Sequence, residues 1–236
     1  FTADGLAKII LRDPVMTSRI LKVANSSFYS RISNVKTVNQ AVQLLGMNNV
    51  KCLALSTSIF RPEKIKKETG VDAKQLFASF LTVATGAERL AQAVGLKHPE
   101  EAFVAGLLHD IGIVYLIEYY PEQYRKILDR KVKATTMSAA EEEVFGIDHC
   151  EIGFHLTTRW RLPEYVCNAV RIHHTFQSFA EVDVLGRCVL LASLMAPNAI
   201  GAFSHDLEER LSMRGRIAAS LNLSQPQVVE VSISML

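Results

Sequence analysis

Apolar residues along this chain recur at spacings of three and four, the period of one helix face, rather than in alternation. Asp13-Pro14 opens the first such run, because the carboxylate caps free amide groups and the proline fits the first turn. Met16, Ile20, Val23 and Ala24 then share a face. A second run starts near Val38, with Ala41, Val42 and Leu45 on one side and Gly46 placed to end it. Asn48 or Asn49 is suited to cap a third, carrying Leu53, Ala54 and Ile59, which Arg61-Pro62 stops. Longer helical patterns cover about 73–94, 99–118, 121–133, 138–145, 148–160, 163–174, 183–195 and 206–221. The tail is open: Val229, Val231, Ile233 and Met235 alternate as in a strand, while Pro226 suits a helix start. The pattern predicts an all-α fold, a multi-helix globular bundle with short connections.

Between Pro62 and Asp72 the pattern gives way to charge (Glu63, Lys64, Lys66, Lys67, Glu68) and Gly70. This is the best internal boundary, and a solvated connector is expected there, with a phosphate-binding patch as the other reading. The chain has 236 residues, 49% of them apolar, enough to bury a core without disulfides or metals. Its net charge of +2 lacks the concentrated positive charge that a nucleic-acid binder carries. No stretch of 18 uncharged apolar residues occurs, so no membrane-spanning helix is expected. Cys52, Cys150, Cys167 and Cys188 form no C-x-x-C pair; free, buried thiols in a reducing cytoplasm are expected. The chain opens on Phe1 rather than Met, so its true start is expected upstream.

Five residues of ligand type stand out: His109, Asp110, His149, His173 and His174. His and Asp suit zinc, iron or manganese. The apolar run before His109-Asp110 implies burial, and a buried pair must be satisfied by hydrogen bonds or by a metal. Neighbours on a helix diverge by about 100°, so both reach one ion only near a helix distortion, for which Gly112 offers room. Asp148-x-x-Glu151 reads as a capping-box variant and places His149 in a first turn. His173 falls on the stripe of Val166, Ala169 and Val170 and should face the core, with His174 on the flank. His98, His155 and His205 offer no identifiable partner. No Gly-x-Ser-x-Gly elbow and no Gly-x-x-x-x-Gly-Lys loop exists, so nucleophilic and phosphate-cradle chemistry find no support.

His109-Asp110 with its flanks resembles the doublet of the HD phosphohydrolase superfamily. The chain resembles more closely the HDOD family, HD-related output domains of bacterial signalling. The segment from Arg12 to Ser26 is similar to that family's first-helix motif, and Gln40 to Gly46 to its second. Asp148 to Gly153, Trp160 to Pro163 and Ile172 to His174 follow in order. The resemblance implies an HD-type bundle over residues 1–200, with an N-terminal helical lobe at about 1–70 and an HD-like lobe at about 71–200. Residues 201–236 would be a helical extension.

Active HD enzymes carry a further His on the helix before the doublet and a closing Asp on a later helix. The matching positions here are Ser79 and Ser193. Ile113 stands where cyclic-dinucleotide phosphodiesterases carry Lys, and no Gly-Tyr-Pro loop is present. Losing two ligands removes the means of holding a two-metal centre that activates water and neutralises phosphate. The resemblance therefore implies a non-catalytic, cytoplasmic regulatory domain. It would act through a signalling protein or an attached sensor domain, with a degenerate site holding at most one divalent ion (iron, manganese, zinc or nickel). The alternative is a residual metal-dependent phosphohydrolase or nucleotide-binding domain. Around Ser26 to Asn34 a capped turn with packed aromatics is expected, with a partner surface as the other reading; the partner-binding residues are otherwise unassigned.

Overall fold

The computed structural model describes residues 2–25, 34–60, 65, 69–130, 136–174, 179–196 and 207–235. All of its regular structure is helical, and no strand occurs among the described residues. The chain divides into two compact units, Phe1–Arg61 and Pro62–Leu236.

The first unit holds α1 (Ala3–Ile10), α2 (Pro14–Ala24), α3 (Val38–Leu45) and α4 (Met47–Ile59). Asp13 Oδ1 accepts from the amides of Val15 and Met16, as the Asp-Pro start implies. Thr37 and Gln40 form a capping box on α3. Val38, Ala41, Val42 and Leu45 are all buried, so the predicted face is the packed one. The expected Asn cap on α4 is not used. Gly46 takes φ +82 and turns α3 directly into α4, leaving no position for a separate cap. Asn49 lies inside the helix instead, its side-chain amide donating to the Leu45 carbonyl. The Asn25 side chain donates to the Val35 carbonyl and accepts from its amide, tying α2 to the approach to α3. Residues 26–33, read as a capped turn or a partner surface, lie outside the described residues, as do most of 61–68.

The second unit holds α5 (Ala73–Ala93), α6 (Pro99–Leu108), α7 (Ile111–Tyr119), α8 (Pro121–Arg130) and α9 (Met137–Phe145). It continues with α10 (His149–Arg159), α11 (Glu164–Ile172), α12 (Val184–Met195), α13 (Leu207–Ser220) and α14 (Gln225–Ser234). Its core is built on α5 and α12, where Val83, Ala87, Leu90, Val189, Leu190 and Leu191 are fully buried. Burying each large side chain contributes on the order of 2 kcal/mol. Small residues set how closely helices approach: a β-carbon on Gly106 of α6 would lie 2.9 Å from the Ala84 Cα. Ile217 and Ala218 of α13, Leu221 just after it, and Val228 and Val231 of α14 enter the same core. The ambiguous tail is a helix. Val231 and Met235, four apart, are buried, whereas Val229 and Ile233 are exposed.

The pattern predicted as one helix from 99 to 118 is two. Asp110 leaves helical geometry (φ −99, ψ 24) and the chain restarts at Ile111. The whole segment Pro99–Tyr119 is long and apolar enough to cross a membrane by composition alone, but 83% of its most apolar window is buried inside the protein. That is the placement of a core element.

Candidate metal centre

The break between α6 and α7 solves the divergence of neighbouring side chains: His109 ends one helix and Asp110 precedes the next. Gly112 serves a different purpose from a kink. A β-carbon there would collide with the carbonyl oxygen of His149, so glycine lets the start of α10 abut α7. Gly153 does the same against Val170 of α11, at 2.6 Å. These two contacts bring His149 at the start of α10 and His173 at the end of α11 up to the doublet.

All five predicted residues converge. His173 Nε2 is 2.9 Å from Asp110 Oδ1, and His149 Nε2 is 3.5 Å from the same oxygen. His109 Nε2 is 3.1 Å from Asp110 Oδ2. His149 Nε2 lies 3.3 Å from His173 Nε2 and 2.9 Å from His174 Nε2. His109, Asp110, His149 and His173 are each at most 3% exposed, and His174 is half-buried. His149 is thus no exposed first-turn histidine; it is fully buried, with Asp148 capping its helix through the Glu151 amide at 2.9 Å. His98 and His155 remain apart from the site, beside Glu100 at 3.1 Å and Glu151 at 3.6 Å on the surface. His205 lies outside the described residues.

Tautomers follow from the other ring nitrogens. His109 Nδ1 is 2.7 Å from the Gly106 carbonyl and His173 Nδ1 is 2.7 Å from the Val170 carbonyl. A carbonyl only accepts, so each Nδ1 donates and each Nε2 points a lone pair inward. His149 Nδ1 faces the buried carboxylate of Glu141, which also accepts the His149 backbone amide at 2.8 Å. Inward-facing lone pairs and a carboxylate at about 3 Å repel one another unless protons or a cation lie between them.

Without a cation, protons take that place. Burial alone would raise the Asp110 carboxyl, but His109 and His173 hold it well below the usual carboxylate range. Burial would lower His173, yet Cys150 and Asp110 push it up to about 10. His149 rises in the same way, against burial, through Cys150 and Glu141. His174 falls, through burial and the charges of His173 and His149. A divalent ion would relieve the same crowding, and imidazoles with one carboxylate are a fit donor set for zinc, iron or manganese.

Two residues of the site were missed in the sequence. Glu141 sits on α9, across the Gly146 turn from His149, so no helical spacing links them. Cys150 places its sulfur 3.6 Å from His149 Nε2 and 3.9 Å from His173 Nε2. Its only signal was adjacency to His149. The two serines are buried, and each hydroxyl is spent on its own helix: Ser79 on the Leu76 carbonyl at 2.7 Å, Ser193 on the Leu190 carbonyl at 2.9 Å.

The sequence pattern of the HDOD domain matches residues 1–176. The chain belongs to the HDOD domain family. Solved structures similar to this HDOD domain include an HDOD protein of unknown function from Geobacter sulfurreducens (24% identical, TM-score 0.65, covering 100% of this chain and 86% of that one). The response regulator MmoQ of Methylococcus capsulatus str. Bath is 26% identical, with TM-score 0.57 over 98% of this chain and 90% of that one. A Shewanella amazonensis SB2B protein, provisionally named a metal-dependent phosphohydrolase, is 20% identical, with TM-score 0.64 over 100% and 85%. Among curated proteins, an uncharacterized protein of Treponema pallidum (strain Nichols) is 27% identical over 173 residues. That match takes in 72% of this chain and 33% of the Treponema protein, so the HDOD chain spans about a third of that relative's length.

Proposed function

We propose that this HDOD chain is a non-catalytic regulatory domain of bacterial signalling. In this reading it works in the cytoplasm through contact with a signalling protein or an attached sensor domain. Its His109, Asp110, His149, His173 and His174 cluster holds one divalent transition metal that fixes the junction of α6, α7, α10 and α11. The observation that carries the reading is a contrast within the site. Five ligand-type groups converge, four of them buried, yet the positions where active HD enzymes complete a two-metal centre are Ser79 and Ser193, whose hydroxyls bond their own helices.

Hydrolysis of a phosphate ester needs the ester to reach the metal. With His149 and His173 fully buried and His109 and Asp110 nearly so, an ion here is better placed to brace helices than to meet a substrate. Likeness to a named response regulator supports a signalling role. The phosphohydrolase alternative rests on the intact His109-Asp110 doublet.

The test is hydrolysis of a generic phosphodiester and of nucleotides by chain loaded with zinc, iron or manganese, beside the Asp110→Asn variant. Equal background rates are expected. Metal-dependent turnover that Asp110→Asn abolishes would overturn the reading in favour of the phosphohydrolase.

A further inference from the structure

Resting on the reading of a domain that acts by contact, we infer that the turn from α1 into α2 is its docking surface for an acidic segment of a partner protein that also carries aliphatic side chains. Charge points there first. Residues 1–61 hold eight Lys or Arg, two Asp and no Glu, a net charge of +6, whereas residues 62–236 hold 18 basic and 22 acidic residues, a net charge of −4. The near-neutral chain thus conceals a basic first unit. Exposure narrows the place. Of nine large apolar residues that stand exposed among the described residues, Ile9, Leu11 and Val15 fall within one stretch of seven. Lys8 and Arg12 are exposed in the same stretch. Among the described residues no ion pair involves either cation. Asp13, one of the two aspartates, caps α2 through the Val15 and Met16 amides.

The stretch is a fixed turn. The Leu11 amide donates to the Ala7 carbonyl at 2.9 Å, the Asp13 amide to the Ile10 carbonyl at 3.0 Å, and the Thr17 hydroxyl to the same Ile10 carbonyl at 2.9 Å. Leu6, Ala7, Ile10, Met16 and Ile20, from the same two helices, are buried. A preorganised surface loses little conformational entropy on binding. The apolar residues select the partner. Phosphate backbones reward cations but gain little from aliphatic side chains. A helix that lies on a membrane offers it a whole apolar face, whereas that face of α1, Leu6, Ala7 and Ile10, is already buried in the protein. Carboxylates flanking a few aliphatic side chains match Lys8 and Arg12 beside Ile9, Leu11 and Val15. The charges steer the encounter and the apolar contacts hold it.

The unaltered chain is titrated, with fluorescence anisotropy as the readout, into a labelled peptide of about 16 residues with leucines at helical spacings of three and four and glutamates elsewhere. Saturable binding that weakens as salt rises is expected. Lys8→Glu combined with Arg12→Glu, and separately Leu11→Ser, should each weaken it about tenfold or more. All three residues are exposed, so circular dichroism should show the fold kept. Ile233→Ser, at an exposed position of α14, should leave binding unchanged. A peptide with serine in place of leucine should bind about tenfold or more weakly. No binding, equal binding of the serine peptide, or binding that the substitutions leave intact would overturn the surface, as would tighter binding of duplex DNA or of phosphatidylglycerol vesicles. Phosphodiester hydrolysis by the same chain tests the non-catalytic reading separately: peptide binding that fails beside background turnover overturns the surface alone.

Discussion

The junction of α7, α10 and α11 and the long helix α5 both bury polar side chains, but by opposite means. At the junction, opposite charges set against one another hold Asp110 below its ordinary value and His149 and His173 above theirs. On α5, Ser79 is neutral and satisfied by its own helix. Glu88, also on α5, is 5% exposed, and its carboxyl is pushed up to about 7 by burial and by Glu100. Ser193 on α12 repeats the neutral solution. A fold can thus bury charged groups in one place by setting them against one another and bury polar groups elsewhere by satisfying them within their own helix.

Removing one member of the charged cluster should have the largest effect. In chelator-treated protein, Asp110→Ala leaves His173 without its counter-charge and should cost about 3–5 kcal/mol in urea unfolding. A loss below about 1 kcal/mol would mean that His173 is not charged against it. Next comes the close approach that assembles the cluster. Gly112→Ala drives a β-carbon into the His149 carbonyl and should cost about 3 kcal/mol or more, with loss of metal.

Glu88 gives a pH-dependent effect. The folded carboxyl keeps its proton up to about pH 7, whereas the usual value is 4.5. Stability from the protonated form is therefore fully present below 4.5 and is lost as pH rises through about 7. The loss is on the order of 3 kcal/mol, and Glu88→Gln should flatten that slope. The smallest effect is expected at the serines. Ser79→Ala and Ser193→Ala remove hydroxyls bonded within their own helices and should each cost less than about 1 kcal/mol. A loss of several kcal/mol at either would place that serine within the cluster's charge network.

Much of this was legible in the sequence because helical spacing reports burial directly. The Asp13-Pro14 start, the Val38–Leu45 face and the core-facing His173 all follow from period and caps. The five ligand-type residues were legible by chemistry and by family resemblance, and the bundle brings them together. What the sequence hid is non-periodic. The break at Asp110 interrupts a run that is apolar throughout, so periodicity could not mark it. Glu141 reaches His149 around the left-handed turn at Gly146, a path that no spacing rule describes. Gly112 was read as permitting a distortion, whereas its role is to admit a neighbouring backbone. Val229 and Ile233 imitated a strand because their exposed face is apolar too.

The proposed function puts one divalent transition metal, and not two, in the buried cluster. Plasma mass spectrometry on the untagged chain, purified without added metal and beside its Asp110→Asn variant, tests it most directly. About one equivalent of transition metal per chain, largely lost in the variant, is the expected result. Two equivalents, or none in the unaltered chain, would contradict it.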